Sequence, residues 1–165
     1  MKGPTPSQTV GPFFGFALPF AGDSESGRTS DGAARLRIEG QLLDGAGEPV
    51  PDGLLEAWQG EQFVRCATDL EGVFHFTLSK PVPLPGPDGS TQAPHLNLNV
   101  FARGLLRHLV TRIYFPDEGV ANASDWVLSQ VEPGRRVTLI AQPDEGNLRF
   151  DVRLQGEGET VFFEL

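Results

Sequence analysis

Cysteine occurs once in the 165 residues, as Cys66, so neither an internal disulfide nor a cysteine-based metal cluster can form. Tyrosine also occurs once, as Tyr114, and histidine three times, as His75, His95 and His108. Groups for nucleophilic, acid–base or metal chemistry are therefore few. Positive charge is scarce: 13 Lys and Arg against 22 Asp and Glu leave a formal net charge of −9. An acidic surface repels phosphate backbones and anionic lipid, and no basic cluster offsets it, so nucleic acid and membrane surfaces are poor partners. The same field disfavours a small anionic substrate unless a placed Arg or a more basic partner reverses it locally. No apolar run approaches the ~20 residues of a membrane span. Val10 to Phe20, interrupted by Gly11, Pro12, Gly15 and Pro19, lacks a signal-peptide pattern. A cytoplasmic location is the expectation. No Gly-rich loop opens a predicted helix, and no serine lies in a nucleophile elbow.

What is present is turn chemistry and phenylalanine. Twenty Gly and 14 Pro punctuate short apolar runs, and 12 Phe dominate the aromatics. A single domain of about 150 residues can bury roughly 70% of its unfolded surface, so one core is expected. The runs are Leu36 to Leu42, Leu54 to Trp58, Val73 to Leu78, His95 to Phe101, Leu109 to Phe115, Val137 to Ala141, Leu148 to Leu154 and Val161 to Leu165. Their length and spacing predict an all-β, single-domain β-sandwich of about eight short strands with long loops. One short helix is predicted over Asn122 to Val131, with Asn122 or Ser124 as N-cap and Pro133-Gly134 as the stop. Lys80 to Thr91, rich in proline, reads as a loop. Residues 1–34 form an extended N-terminal arm and loop, and residues 35–165 the sandwich. Phe13, Phe14, Phe16 and Phe20 are costly to leave in water, which makes a partner chain a natural cover for the arm.

Strand alternation places Leu96, Leu98 and Val100 on one face, and His95, Asn97 and Asn99 on the other. Two ligands two residues apart on one strand face can share a metal, but Asn is a poor ligand for a transition metal. The favoured reading is a polar outer face bonded to solvent or a neighbour. His75 alternates with Phe74 and Phe76 and reads as a surface or satisfied structural residue, and His108 as solvated. Nothing in the strand faces brings the three histidines together as an independent metal site. A stand-alone β-sandwich binding or structural module is the alternative to an enzyme subunit.

Five stretches in order carry a resemblance over nearly the whole chain. They are Thr5-Pro6-Ser7-Gln8-Thr9-Val10-Gly11-Pro12-Phe13, Leu55-Glu56-Ala57-Trp58-Gln59, Ala93 to Gly104 (APHLNLNVFARG), Thr111-Arg112-Ile113-Tyr114-Phe115, and Gln155 to Phe163 (QGEGETVFF). Together they resemble the intradiol ring-cleavage dioxygenases, and within them the alpha chains of protocatechuate 3,4-dioxygenases. The resemblance implies a homologous beta subunit that holds Fe(3+) through two Tyr and two His, in a higher alpha–beta oligomer. It implies that oxygen inserts between the hydroxyl-bearing carbons of a small aromatic acid, protocatechuate, giving 3-carboxy-cis,cis-muconate. Where the beta chain carries His-x-His, this chain reads His95-Leu96-Asn97, and Gln92 stands where the beta chain carries the preceding Arg. His95 and Asn97 are thus degenerate ligand positions, and no metal is expected on this chain. The segment after Trp58 is short where relatives carry an insertion. The resemblance also implies that Thr9, Gly11, Pro12 and Arg103 line the substrate pocket beside the partner's iron. Gly11 permits close backbone approach, Pro12 stiffens the arm, and Arg103 offers a fork for a carboxylate. For Arg103 the alternative is an interface salt bridge that never touches substrate.

Overall fold

A computed structural model describes residues 9, 11, 13–26 and 35–164. In chain order its elements are α1 (Phe14–Ala17), β1 (Arg35–Leu43), β2 (Leu54–Gln59), β3 (Gln62–Ala67), β4 (Val73–Ser79), β5 (Leu84–Pro85), β6 (Thr91–Gln92), β7 (His95–Phe101), β8 (Leu109–Tyr114), α2 (Gly119–Ser124), α3 (Trp126–Gln130), β9 (Gln142–Asp144), β10 (Asn147–Arg149) and β11 (Val152–Arg153). One sheet runs β3-β2-β7-β8, antiparallel throughout. The other is built on β1, which pairs antiparallel with β4 on one edge and parallel with β10 and β11 on the other.

Alternation along the strands points one side chain in two at the space between the sheets. Ile38, Leu42, Phe74, Phe76 and Leu78 from one sheet meet Leu55, Ala57, Val64, Leu96, Leu98, Val100 and Ile113 from the other, and all are essentially inaccessible. Each of the larger side chains contributes about 1.5–3 kcal/mol by leaving water. This is the expected β-sandwich, with Cys66 buried inside it.

Several elements differ from expectation. Gln62–Ala67 is a strand: Gly60 takes a φ of +58° and, with Glu61, closes a two-residue hairpin back onto β2. The outward Phe63 and Arg65 mask its alternation, while Val64 and Cys66 face inward. Val137 to Ala141 is not a strand. The turn begun by Pro133 continues as a 3-10 helix, Pro133–Leu139, which presses Leu139 against Tyr114 and becomes extended only at Ile140. The single expected helix is two, broken at Asp125, whose side chain caps α3 by accepting from Leu128 N at 2.9 Å; neither Asn122 nor Ser124 is that cap. α1 adds a further short helix in the arm. The loop after Lys80 contains the small β5–β6 hairpin. Leu148 to Leu154 is found as β10 and β11 in one continuous register on β1, interrupted at Phe150 and Asp151. At the C-terminal end, among the described residues, only Phe163 pairs, bridging Val110.

Within the arm, residues 18–26 are tied to the sandwich edge. Arg65 N donates to Asp23 O at 2.7 Å, Arg65 Nη1 to Leu18 O at 2.8 Å, and Thr77 N to Ser24 O at 2.9 Å. Phe14 is buried, whereas Phe13, Phe16 and Phe20 are 60–70% exposed.

Candidate functional site

β7 carries the chemistry-bearing positions and separates them. Its pairing with β8 sets His95 opposite Tyr114, and its pairing with β2 sets Phe101 opposite Leu54. His95 opens the strand and Arg103 lies just past its end, so roughly 20 Å of strand at 3.3 Å per residue stand between them. The structure does not bring Arg103 to the His95 position.

At the His95 end the expectation of a polar outer face is overturned. His95 is 1% exposed, at a corner where Leu128 of α3 and Leu139 of the 3-10 helix pack with Ala93 and Tyr114. Its Nδ1 donates to Ala93 O at 2.7 Å, and its ring lies 5.6 Å from that of Tyr114. Burial, with the nearby Arg112 charge, holds the imidazole pKa below its ordinary value, so the ring is neutral near pH 7. Asn97 and Asn99 are half-buried.

The Tyr114 hydroxyl is engaged on both sides. It donates to Asp125 Oδ1 at 3.0 Å and accepts from Arg112 Nη1 at 3.2 Å. The same Arg112 nitrogen donates to Gln92 Oε1 at 2.9 Å. Asp125, fully buried, also accepts from Ala93 N at 2.8 Å. Burial raises the Tyr114 phenol far above its ordinary pKa, so it stays protonated. Sequence reasoning missed this network. The one available signal was an Asp placed directly before an apolar helical turn, a capping pattern.

These groups do not fit ferric iron. A hard trivalent cation needs anionic oxygen donors; the single phenol is a buried, protonated hydrogen-bond donor, and Asn97, two residues along the strand from His95, is a neutral amide. Among the described residues no three His, Cys, Asp or Glu side chains converge on one point. The three histidines stay apart. His75 is on the other sheet, its Nε2 3.3 Å from Ser24 Oγ, and His108 lies beside Phe101 at the far end of β7.

At the Arg103 end the side chain is exposed and forms an ion pair through Nε with Asp52 Oδ2. The following Gly104 has a φ of +87°, turning the chain away. Thr9 is exposed, and Gly11 is half-buried with a φ of +84° and open space where a Cβ would project. Pro12 lies outside the described residues. No described helix is long and apolar enough to cross a membrane.

No protein-family model matches the chain. It is 38% identical to the protocatechuate 3,4-dioxygenase alpha chain of Pseudomonas putida, over 97% of this chain and 96% of that one. It is 37% identical to the alpha chain of Burkholderia cepacia, over 98% and 97%. The first alignment spans 192 positions for a chain of 165 residues, so the relative carries insertions. To the protocatechuate 3,4-dioxygenase beta chain of Burkholderia cepacia the identity is 28%, over 76% and 66%. Among solved structures, the dioxygenase domain of a dioxygenase carbohydrate-binding protein fusion from Streptomyces sp. SirexAA-E superposes with a TM-score of 0.64 at 24% identity, covering 93% of this chain and 99% of that one. Catechol 1,2-dioxygenase from Acinetobacter sp. ADP1 superposes with a TM-score of 0.62 at 20% identity, and this chain spans 60% of its length.

Proposed function

The chain belongs to the alpha chains of the protocatechuate 3,4-dioxygenases, within the intradiol ring-cleaving dioxygenases; from that premise we propose that it is a subunit without iron of its own. Its partner is a homologous beta chain, of the kind this chain resembles at 28% identity, which carries the ferric iron and performs ring cleavage. The two chains cleave protocatechuate between its hydroxyl-bearing carbons with O2, to 3-carboxy-cis,cis-muconate. The observation that carries the proposal is the filled corner at His95: one neutral buried imidazole, an Asn in the next ligand position, and a phenol committed to Asp125.

What this chain supplies is substrate recognition and assembly. Arg103 stands exposed at a strand end, away from its own His95, where a cation serves a neighbouring chain's site. Its planar fork suits the substrate carboxylate, and it offsets locally the −9 charge that otherwise repels an anion. Thr9, Gly11 and Pro12 line the same pocket from the arm, Gly11 by letting the backbone approach closely.

Oxygen uptake with protocatechuate tests this. Turnover is expected from the co-expressed alpha–beta complex and not from this chain alone; turnover by the lone chain would overturn the assignment. Within the complex, Arg103→Ala is expected to raise KM for protocatechuate about tenfold or more relative to KM for catechol, as loss of a charged hydrogen-bonded pair does. Equal changes for both substrates would remove the carboxylate role and leave Arg103 as an interface ion pair.

A further inference from the structure

Asp52 sits in the Pro51–Gly53 turn that leads into β2, and Arg103 in the turn that follows β7. The two strands are antiparallel neighbours with Leu54 opposite Phe101, so each residue lies two positions beyond the last pair, at the same end of the sheet. Register alone therefore sets them face to face, and the Arg103 Nε–Asp52 Oδ2 ion pair is the result. Their surroundings differ in firmness. Asp52 is carried by a locked turn: Gly53 N donates to Thr68 Oγ1 at 2.8 Å, Thr68 N to Gly53 O at 3.0 Å, and Thr68 Oγ1 to Val50 O at 2.7 Å. A Cβ on Gly53 would collide with the Leu42 side chain, which holds the turn against the core. Arg103 is the less enclosed partner, with its side chain 76% exposed. Asp52 Oδ2 is itself buried and, among the described residues, has no hydrogen-bond partner, which leaves the Arg103 ion pair as the charge contact described for it.

We infer that Asp52 is a positioning residue for Arg103: it grips the guanidinium at Nε and leaves the terminal amino pair directed outward for a carboxylate. This inference rests on the carboxylate role proposed above for Arg103. An unrestrained Arg loses rotamer freedom when it binds, and a neighbour that fixes the side chain beforehand removes part of that cost. The opposing effect, repulsion between Asp52 and an incoming carboxylate, is screened by solvent around so exposed a guanidinium.

The readout is the ratio of KM for protocatechuate to KM for catechol, measured in the alpha–beta complex. Asp52→Asn keeps the shape of the turn residue and is expected to raise the ratio about three- to tenfold, the scale of one immobilised long side chain. Arg103→Ala is expected to raise it further, and Asp52→Asn added to Arg103→Ala to change nothing more. Asp52→Glu, which restores the anion at a longer reach, should fall between wild type and Asp52→Asn, and it serves as the second variant if Asp52→Asn fails to assemble. A ratio that moves with Arg103→Ala but not with either Asp52 variant overturns the inference and leaves the Arg103 reading intact. No change with Arg103→Ala overturns both. A fall in the ratio with Asp52→Asn, or an equal shift in the Arg103→Ala background, also overturns the inference, making Asp52 a competing anion or a structural residue.

Discussion

Asp125 holds three donors at once: the Ala93 and Leu128 amides and the Tyr114 hydroxyl. Replacing it with Ala strands all three in a buried corner, at about 1–3 kcal/mol each before relaxation. Asp125→Ala is therefore expected to lower the thermal midpoint by roughly 10 °C, while Tyr114→Phe, which removes the bonds to Asp125 and Arg112 but leaves both amides capped, lowers it by roughly 3–5 °C. Thermal denaturation of the two variants checks the order; equal small shifts would mean that the network carries little stability. His95 gives a pH signature. Its folded pKa is depressed, so the unfolded chain takes up a proton first as pH falls below about 6.5. The stability this contributes is complete above that value and is lost as pH drops toward the folded pKa. Between pH 7.5 and 5, His95→Gln is expected to lose less stability than wild type, whatever its starting midpoint. An identical or steeper loss in the variant would show that His95 does not titrate with unfolding.

Among the elements, the pairing of β1 with β10 and β11 is the tightest constraint. Phe150 N donates to Glu39 O at 2.9 Å and Gln41 N to Asp151 Oδ1 at 2.9 Å, and between them Gly40 faces the Phe150 carbonyl. A Cβ there would overlap that oxygen, so Gly40→Ala is expected to prevent accumulation of folded protein; soluble wild-type-like yield and midpoint would contradict this. The run Leu36 to Leu42 was readable from the sequence as a strand, and β7 showed its inner face plainly through Leu96, Leu98 and Val100. Such strands are legible because one face is buried and the other is not. β3 was illegible because Phe63 lies outward and Arg65 spends its charge on Glu56, at 2.5 Å across the hairpin. His95 was misjudged for a related reason. Periodicity tells which face a residue shares, but not that α3 and a 3-10 helix return from later in the chain to cover one corner of it. The Arg103 pairing with Asp52 depended on register, which alternation does not reveal.

At the scale of the whole molecule, an acidic sandwich presents Phe13, Phe16 and Phe20 on an arm secured to its edge at residues 18–26. Phe20 lies on that tethered segment and Phe13 and Phe16 just before it, and the three exposed rings are expected to be covered by the beta chain. Replacing all three with Ser should leave the circular dichroism of the lone chain unchanged and abolish co-purification with the beta chain; normal assembly would show the arm to be dispensable. The division of labour itself is tested most directly by metal analysis of the purified alpha–beta complex and of this chain alone. One iron is expected for each pair of chains, and none retained by the lone alpha chain. Stoichiometric iron on the lone chain, or two irons per pair, would contradict that division.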